Sequence, residues 1–215
     1  MSRSARPGDG PIADGPVDIS IWGREILAKG FRPYERYRFV RAGEDVTARP
    51  LDILRAGPAA AVLPLDLIRD EIVLFQQFRL AAHLASGNGH LFEIVAGHVE
   101  ANEQPLETAR RECVEEIGVT PDPLIELFSY LTSPGLSDEV ITLFLGIVDA
   151  SRVPARAGLA AEHEETVLMR VPIDAALAAM AGGTLHNGPL IVALQWLALN
   201  RAHLGEIVRT GSVAR

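Results

Sequence analysis

Between Gly97 and Val119 the chain sets six carboxylates, Glu100, Glu103, Glu107, Glu112, Glu115 and Glu116, beside two arginines, Arg110 and Arg111. The local signals describe a loop, a helix and a turn. Pro105 suits a first helical turn, where its missing N–H is not needed, and Gly118 supplies a left-handed stop. A helix is therefore expected from Pro105 to Ile117. At roughly 100° per residue, Leu106, Ala109, Cys113 and Ile117 form one apolar stripe, while Glu112, Glu115 and Glu116 share a separate arc of about 100°. Glu112 and Glu116 stand one turn apart, where like charges repel unless something neutralises them. A hard divalent cation such as Mg²⁺ prefers oxygen ligands and binds through a few carboxylates, retained waters and substrate phosphates. Arg111 lies one turn before Glu115 and can hold it in an ion pair, which leaves Glu112 and Glu116 to face a metal.

Scattered glutamates are ordinarily a solvated acidic face. Here the flanking glycines and the fixed spacing favour a metal site. A cation held in this way polarises a phosphoryl oxygen, activates a water and neutralises a leaving group, so hydrolysis of a phosphoanhydride is the chemistry that fits.

Such a site needs backbone delivered to it. The apolar run Leu91 to Val95 reads as a strand leading directly into Ala96-Gly97, and glycine permits a close approach that a side chain would obstruct. Ala59 to Leu65 and Glu71 to Phe78 are short β-type runs joined by Asp66 to Asp70, a hairpin in a buried sheet; Ala85 to Gly89 reads as a loop. After the helix, Leu124 to Leu131 and Val140 to Val148 read as strands, and the acidic loop Ala160 to Glu165 precedes another at Thr166 to Val171. Helices are expected at Ile173 to Ala181 and Pro189 to Leu204, the latter with an apolar face of Leu190, Leu194, Trp196, Leu197 and Leu199. A sheet covered by helices makes an α/β sandwich. From Val17 to Gly57 the apolar residues are intermittent, as in about three short antiparallel strands, which hold little core and must pack on something else. Residues 1–16, rich in glycine and proline, read as a disordered tail. The expected division is thus 1–16, 17–57 and 58–215.

Composition narrows the function. With 215 residues and 48% hydrophobic content the chain can bury one sizeable core with an appendage. Its net charge of −8, concentrated at the carboxylate helix and in Glu162-His163-Glu164-Glu165, excludes a nucleic-acid groove, which needs clustered lysine and arginine. Cys113 is the one cysteine, so no internal disulfide forms, and its place on the apolar stripe makes it core rather than nucleophile. No apolar run approaches the roughly 20 residues of a membrane span, and Met1 to Gly8 lacks the apolar segment of a secretory signal. A cytoplasmic protein without membrane partners is expected.

The box itself resembles the signature of the Nudix hydrolases: Gly, five residues, Glu, seven residues, Arg-Glu, an aliphatic, any residue, Glu-Glu, any residue, Gly, an aliphatic. Gly97, Glu103, Arg111, Glu112, Glu115, Glu116 and Gly118 fill the polar and glycine positions, and Cys113 and Val119 the aliphatic ones. Outside the box, Gln77-Phe78-Arg79, Ser133-Pro134-Gly135 with Asp138-Glu139, the glutamate loop and Ala193-Leu194-Gln195-Trp196-Leu197 look like the ADP-ribose pyrophosphatase branch of that family.

The resemblance implies a Nudix-type α/β/α sandwich, of the α/β (α+β) class, with a mixed sheet and an N-terminal antiparallel appendage. It implies Mg²⁺, with Mn²⁺ as a substitute, held by Glu112, Glu116, the backbone carbonyl of Ala96 and Glu164. Glu115 and Glu103 would support or supplement those ligands, and Glu115 and Glu162 would be catalytic, Glu162 as the base that orients or deprotonates the attacking water. Arg79, whose planar fork suits phosphate, would contact the substrate diphosphate, with His98 and Glu139 as further substrate contacts. In this branch the N-terminal sheet is exchanged between the subunits of a homodimer and helps enclose the base; Phe31 is placed to stack on adenine. At Arg49-Pro50-Leu51-Asp52 the chain departs from the Arg-Glu pairs with which relatives contact the base, which puts Asp52 in the base region. The implied activity is hydrolysis of ADP-ribose to AMP and ribose 5-phosphate. A different nucleotide sugar such as GDP-mannose is the alternative that the Leu51-Asp52 departure permits, and a non-catalytic sensor of ADP-ribose-like ligands is a rival that the complete box opposes.

Overall fold

The computed structural model describes residues 12–43, 50–157 and 166–212. These fall into two compact units that meet in the chain between Arg55 and Ala56.

The N-terminal unit is a three-stranded antiparallel sheet of β1 (Ile19–Lys29), β2 (Pro33–Arg41) and β3 (Leu51–Leu54), in that order. Its buried point is a carboxylate. Glu35 receives a two-pronged bond from Arg24, Nε at 3.0 Å and Nη2 at 2.6 Å, and a third from the Tyr37 hydroxyl at 2.6 Å. Ile19, Ile21, Trp22 and Ile26 of β1 are exposed, so this sheet has little core of its own, as its size dictates. Residues 12–16 are exposed and form neither helix nor strand; the rest of the expected tail lies outside the described residues.

The Arg24 fork, with Tyr37 adding to it, lowers the Glu35 carboxyl to about 2. A carboxyl lowered on folding stabilises the fold fully above its unfolded pKa, about 4.3, and loses that contribution as pH falls through the folded value. The stability gap between wild type and Glu35→Gln is thus expected to be full at pH 6 and to shrink steadily below about pH 4.5. Urea midpoints followed through Trp22 fluorescence, in a Trp196→Phe background, measure it; a gap independent of pH contradicts the assignment.

The second unit contains β4 (Pro58–Asp66), β5 (Glu71–Phe78), α1 (Leu80–Ser86), β6 (His90–Glu93), β7 (Val95–His98), α2 (Pro105–Ile117), β8 (Leu124–Leu131) and β9 (Val140–Ile147). The short β10 (Arg156–Ala157), β11 (Thr166–Pro172), α3 (Ile173–Ala181), α4 (Gly188–Asn200) and α5 (Leu204–Thr210) complete it. The sheet runs β10-β11-β5-β4-β9-β8, with β6 on β5 and β7 on β4. It is mixed, because β4 and β9 are parallel while their other neighbours are antiparallel. Period-two alternation along β4 divides the core. Ala59, Ala61, Leu63 and Leu65 pack with Ile173, Leu190, Leu194 and Leu197, whereas Ala60 and Val62 pack with Ala109, Cys113 and Ile117. Helices therefore cover both faces, giving the α/β/α sandwich. Among the described residues no helix is long and apolar enough to cross a membrane.

Four local expectations need correction. The strand expected at Leu91 to Val95 is two strands that change partner at Ile94, β6 lying on β5 and β7 on β4. Leu106 is on the expected arc yet 44% exposed and stands outside the buried cluster that Ala109, Cys113 and Ile117 join; Thr108 is buried instead, bonded to Glu103. Leu199 is also exposed, since nine residues beyond Leu190 is about 180° around a helix. Finally, α1 and α5 occupy segments where no separate helix was expected: α1 buries no side chain, and α5 follows a short 3₁₀ turn at Arg201–His203 that ends the longer helix early.

Candidate active site

The partner change at Ile94 builds the site. It swings the chain from β5 to β4, so that Val95, Ala96, Gly97 and His98 stand opposite Val62, Ala61, Ala60 and Ala59. The loop that follows turns back into α2, whose start is secured by a capping box between Gln104 and Glu107 and whose end is Gly118 at φ 71°. The buried stripe Ala109, Cys113 and Ile117 fixes the helix rotation and aims Glu112 and Glu116 at β7.

Both carboxylates meet the backbone of adjacent residues. Glu116 Oε2 accepts the Ala96 amide at 3.0 Å. Glu112 lies against Gly97 so closely that a Cβ at that position would stand 1.8 Å from its Oε1. Arg111 binds the group together. Its Nε and Nη2 donate to Glu103 at 2.9 and 3.1 Å, its Nη1 to Glu112 at 2.8 Å and Glu115 at 2.9 Å, and Nη2 also reaches the His98 carbonyl at 3.4 Å. The Arg111–Glu115 pair is as expected, but Arg111 holds Glu112 as well. The reason is geometric: a guanidinium presents several donors in one plane and here spans two neighbouring acids at once. The Arg111 fork, then the Thr108 hydroxyl, holds the Glu103 carboxyl down at about 2, and the surrounding acids push the Arg111 pKa up. Burial, reinforced by Glu116 and Glu112, pushes the Cys113 thiol up, consistent with a core residue.

Among the described residues no three acidic, histidine or cysteine side chains converge as a ready metal cage. The oxygen-only set of Glu112 and Glu116, closed by the backbone of Ala96-Gly97, nevertheless suits a hard divalent cation that keeps waters and takes its remaining ligands from phosphate. Glu162 and Glu164, expected to complete it, lie outside the described residues, as does Arg49.

The other expected residues sit as follows. Arg79 directly follows β5 and forms a two-pronged pair with Glu93, Nε at 2.8 Å and Nη2 at 2.7 Å, while about half of its own side chain stays exposed. Glu93 is buried, a partner that the sequence reading missed; its signal is a charged residue at an inward position of a short strand. His98 ends β7 beside the box. Glu139 follows the Ser133-Pro134-Gly135 loop and accepts the Thr132 hydroxyl at 2.7 Å. In the N-terminal unit Phe31 is at the β1–β2 hairpin tip, 90% exposed, with the Arg32 guanidinium 4.8 Å from its ring centre. Asp52 is held by Arg36 through two bonds of 2.7 Å.

Comparison with known proteins finds relatives of one family. The NUDIX domain family model matches residues 56–205. The ADP-ribose pyrophosphatase of Escherichia coli (strain K12) is 35% identical over 202 residues, covering 93% of this chain and 97% of that protein. The enzyme of the same name from Haemophilus influenzae is 36% identical over 195 residues, covering 88% and 90%. A GDP-mannose pyrophosphatase of Klebsiella pneumoniae is 31% identical over 164 residues, covering 75% and 81%. The crystal structure of an ADP compounds hydrolase shares the fold, with a TM-score of 0.64 at 15% identity, covering 86% of this chain and 97% of that one. With a complete glutamate box set on the backbone of Ala96-Gly97, a NUDIX family model over residues 56–205 and an ADP-ribose pyrophosphatase aligned over 93% of its length, the chain belongs to the Nudix hydrolase family.

Proposed function

We propose that the protein hydrolyses the diphosphate of ADP-ribose to AMP and ribose 5-phosphate with Mg²⁺. The observation that carries this reading is the seating of Glu112 and Glu116 on the Ala96-Gly97 backbone, in a chain 35% identical to ADP-ribose pyrophosphatases over 93% of its length. Glu112, Glu116, the Ala96 carbonyl and Glu164 would hold the cation, which when bound would neutralise charge on the diphosphate and make water a better nucleophile. Glu115, fixed by Arg111, keeps the ligand face ordered, and Glu162 takes the proton of the attacking water. Arg79, oriented by Glu93, meets the diphosphate, and His98 and Glu139 are further substrate contacts.

The N-terminal strands serve pairing of two copies and enclosure of the base through Phe31 and Asp52; the exposed Ile19, Ile21, Trp22 and Ile26 of β1 support pairing. The GDP-mannose pyrophosphatases among the relatives, together with Leu51 at the departure, favour GDP-mannose as the second reading.

Product analysis decides between them, with ADP-ribose, GDP-mannose, NADH and diadenosine polyphosphates at equal concentration. AMP is expected chiefly from ADP-ribose. Glu112→Gln and Glu162→Gln are each expected to lower kcat by about 10²–10⁴-fold. Preference for GDP-mannose transfers the assignment to the second reading; binding without cleavage of any substrate refutes both.

A further inference from the structure

We propose that Asp138 is a positioning residue for substrate binding, which tethers the loop carrying Glu139 to the head of β4 and so sets the distance between that loop and the glutamate box. The inference rests on the reading that Glu139 contacts substrate.

Asp138 Oδ1 accepts two backbone amides far away in sequence, Ala56 N at 2.8 Å and Gly57 N at 3.2 Å. Those residues lead directly into β4, and Ala56 is buried, so its amide would lose a partner that water cannot easily replace. The head of β4 is where the two halves of the site meet. On one side Pro58 pairs with Val140, the residue after Glu139; on the other the Pro58 carbonyl accepts Val99 N at 3.0 Å and Ala59 pairs with His98. Two strand spacings separate Val140 from Val99, roughly 10 Å, a span a bound diphosphate and its sugar can bridge.

The loop is closed on itself by Leu136 N and Ser137 N, both 2.9 Å from the Ser133 carbonyl, and by Glu139 N on Ser137 Oγ at 3.1 Å. These bonds give it a shape, and the Asp138 bonds give that shape an address on β4. One carboxylate oxygen satisfies both amides. A neutral amide oxygen has two acceptor sites and can do the same, whereas alanine cannot.

The test compares Asp138→Ala, Asp138→Asn, Glu139→Gln and the double variant Asp138→Ala/Glu139→Gln on whichever substrate the wild type cleaves best. Asp138→Ala is expected to raise KM about tenfold with kcat within about twofold, and Asp138→Asn to return KM to within about threefold of wild type. The double variant is expected to add little to either single change, because both remove one contact. Hydrogen exchange of Asp138→Ala is expected to lose protection at 56–57 and 132–139 and to keep it in α2.

An unmoved KM in Asp138→Ala, no recovery in Asp138→Asn, or unchanged exchange at 56–57 overturns the proposal. A normal Glu139→Gln beside a raised KM in Asp138→Ala overturns the route through Glu139. Failure of the wild type on ADP-ribose alone refutes the proposed substrate and leaves this comparison intact on the substrate that is cleaved.

Discussion

Gly97→Ala is expected to lower kcat by at least about 10²-fold while the protein stays folded, an effect that a position remote from the reacting atoms would not show. The methyl group would stand 1.8 Å from Glu112 Oε1 and 2.0 Å from its Cδ, far inside any allowed contact. Gly97 is paired in register with Ala60 of the central strand, so the backbone cannot retreat without breaking the β4–β7 ladder. The yielding group must be the Glu112 side chain, which then leaves its bond with Arg111 and its place beside Glu116. A displacement on the order of 1 Å in such a group typically costs about 10²-fold in rate, and a disturbed ligand surround costs about 10–100-fold in metal affinity.

The measurement pairs kcat at saturating Mg²⁺ with Mn²⁺ affinity from electron paramagnetic resonance. Gly205→Ala serves as a control, because nothing lies within 4 Å of the added methyl and the position is helical. Retention of wild-type kcat by Gly97→Ala would mean that Glu112 works from another orientation and that the site described is not the reactive one.

How far the chain announces this site depends on the length scale of each signal. The box was legible because its signals are local: a helical period, a capping proline, a terminal glycine and acids at fixed offsets all act within a few turns. The switch from β5 to β4 at Ile94 was not, since an apolar run such as Leu91 to Val95 has the same period whichever strand it pairs with. Only the register, closing Phe75 on Glu93 and Val62 on Val95, shows that the chain has changed partner. The fork of Arg79 is legible as one suited to phosphate, but its distance from Glu93 in sequence hides the acid that orients it. Leu199 and Leu106 show the limits of hydrophobicity as a guide: one lies on the opposite helix face, the other on the correct face but outside the buried cluster. Asp138 was noted beside Glu139, but its two amide partners come from across the chain and leave no local trace.

Arg111→Lys is expected to be nearly as damaging as removal of the side chain, although it keeps the positive charge. In the folded protein one planar guanidinium makes five bonds at once, to Glu103, Glu112, Glu115 and the His98 carbonyl, while 29% of its side chain remains exposed. An ammonium is a compact charge on a flexible stem, and from one position it cannot reach both edges of that group. Breaking a fully buried ion pair costs about 3–5 kcal/mol; for a partly exposed one we expect about 2 kcal/mol, a drop of about 4–8 °C in Tm for a chain of this size. Charge and geometry then separate on addition of Mg²⁺. Bound at the proposed site, the cation would supply the missing positive charge to Glu112 and its neighbours, so it is expected to raise the Tm of Arg111→Ala by more degrees than that of wild type. It does not restore the orientation of those carboxylates, so kcat is expected to stay at least about 10²-fold low in both variants. If Mg²⁺ restored turnover together with Tm, Arg111 would be a counter-charge alone, and the planar bonding of its guanidinium would have no part in shaping the site.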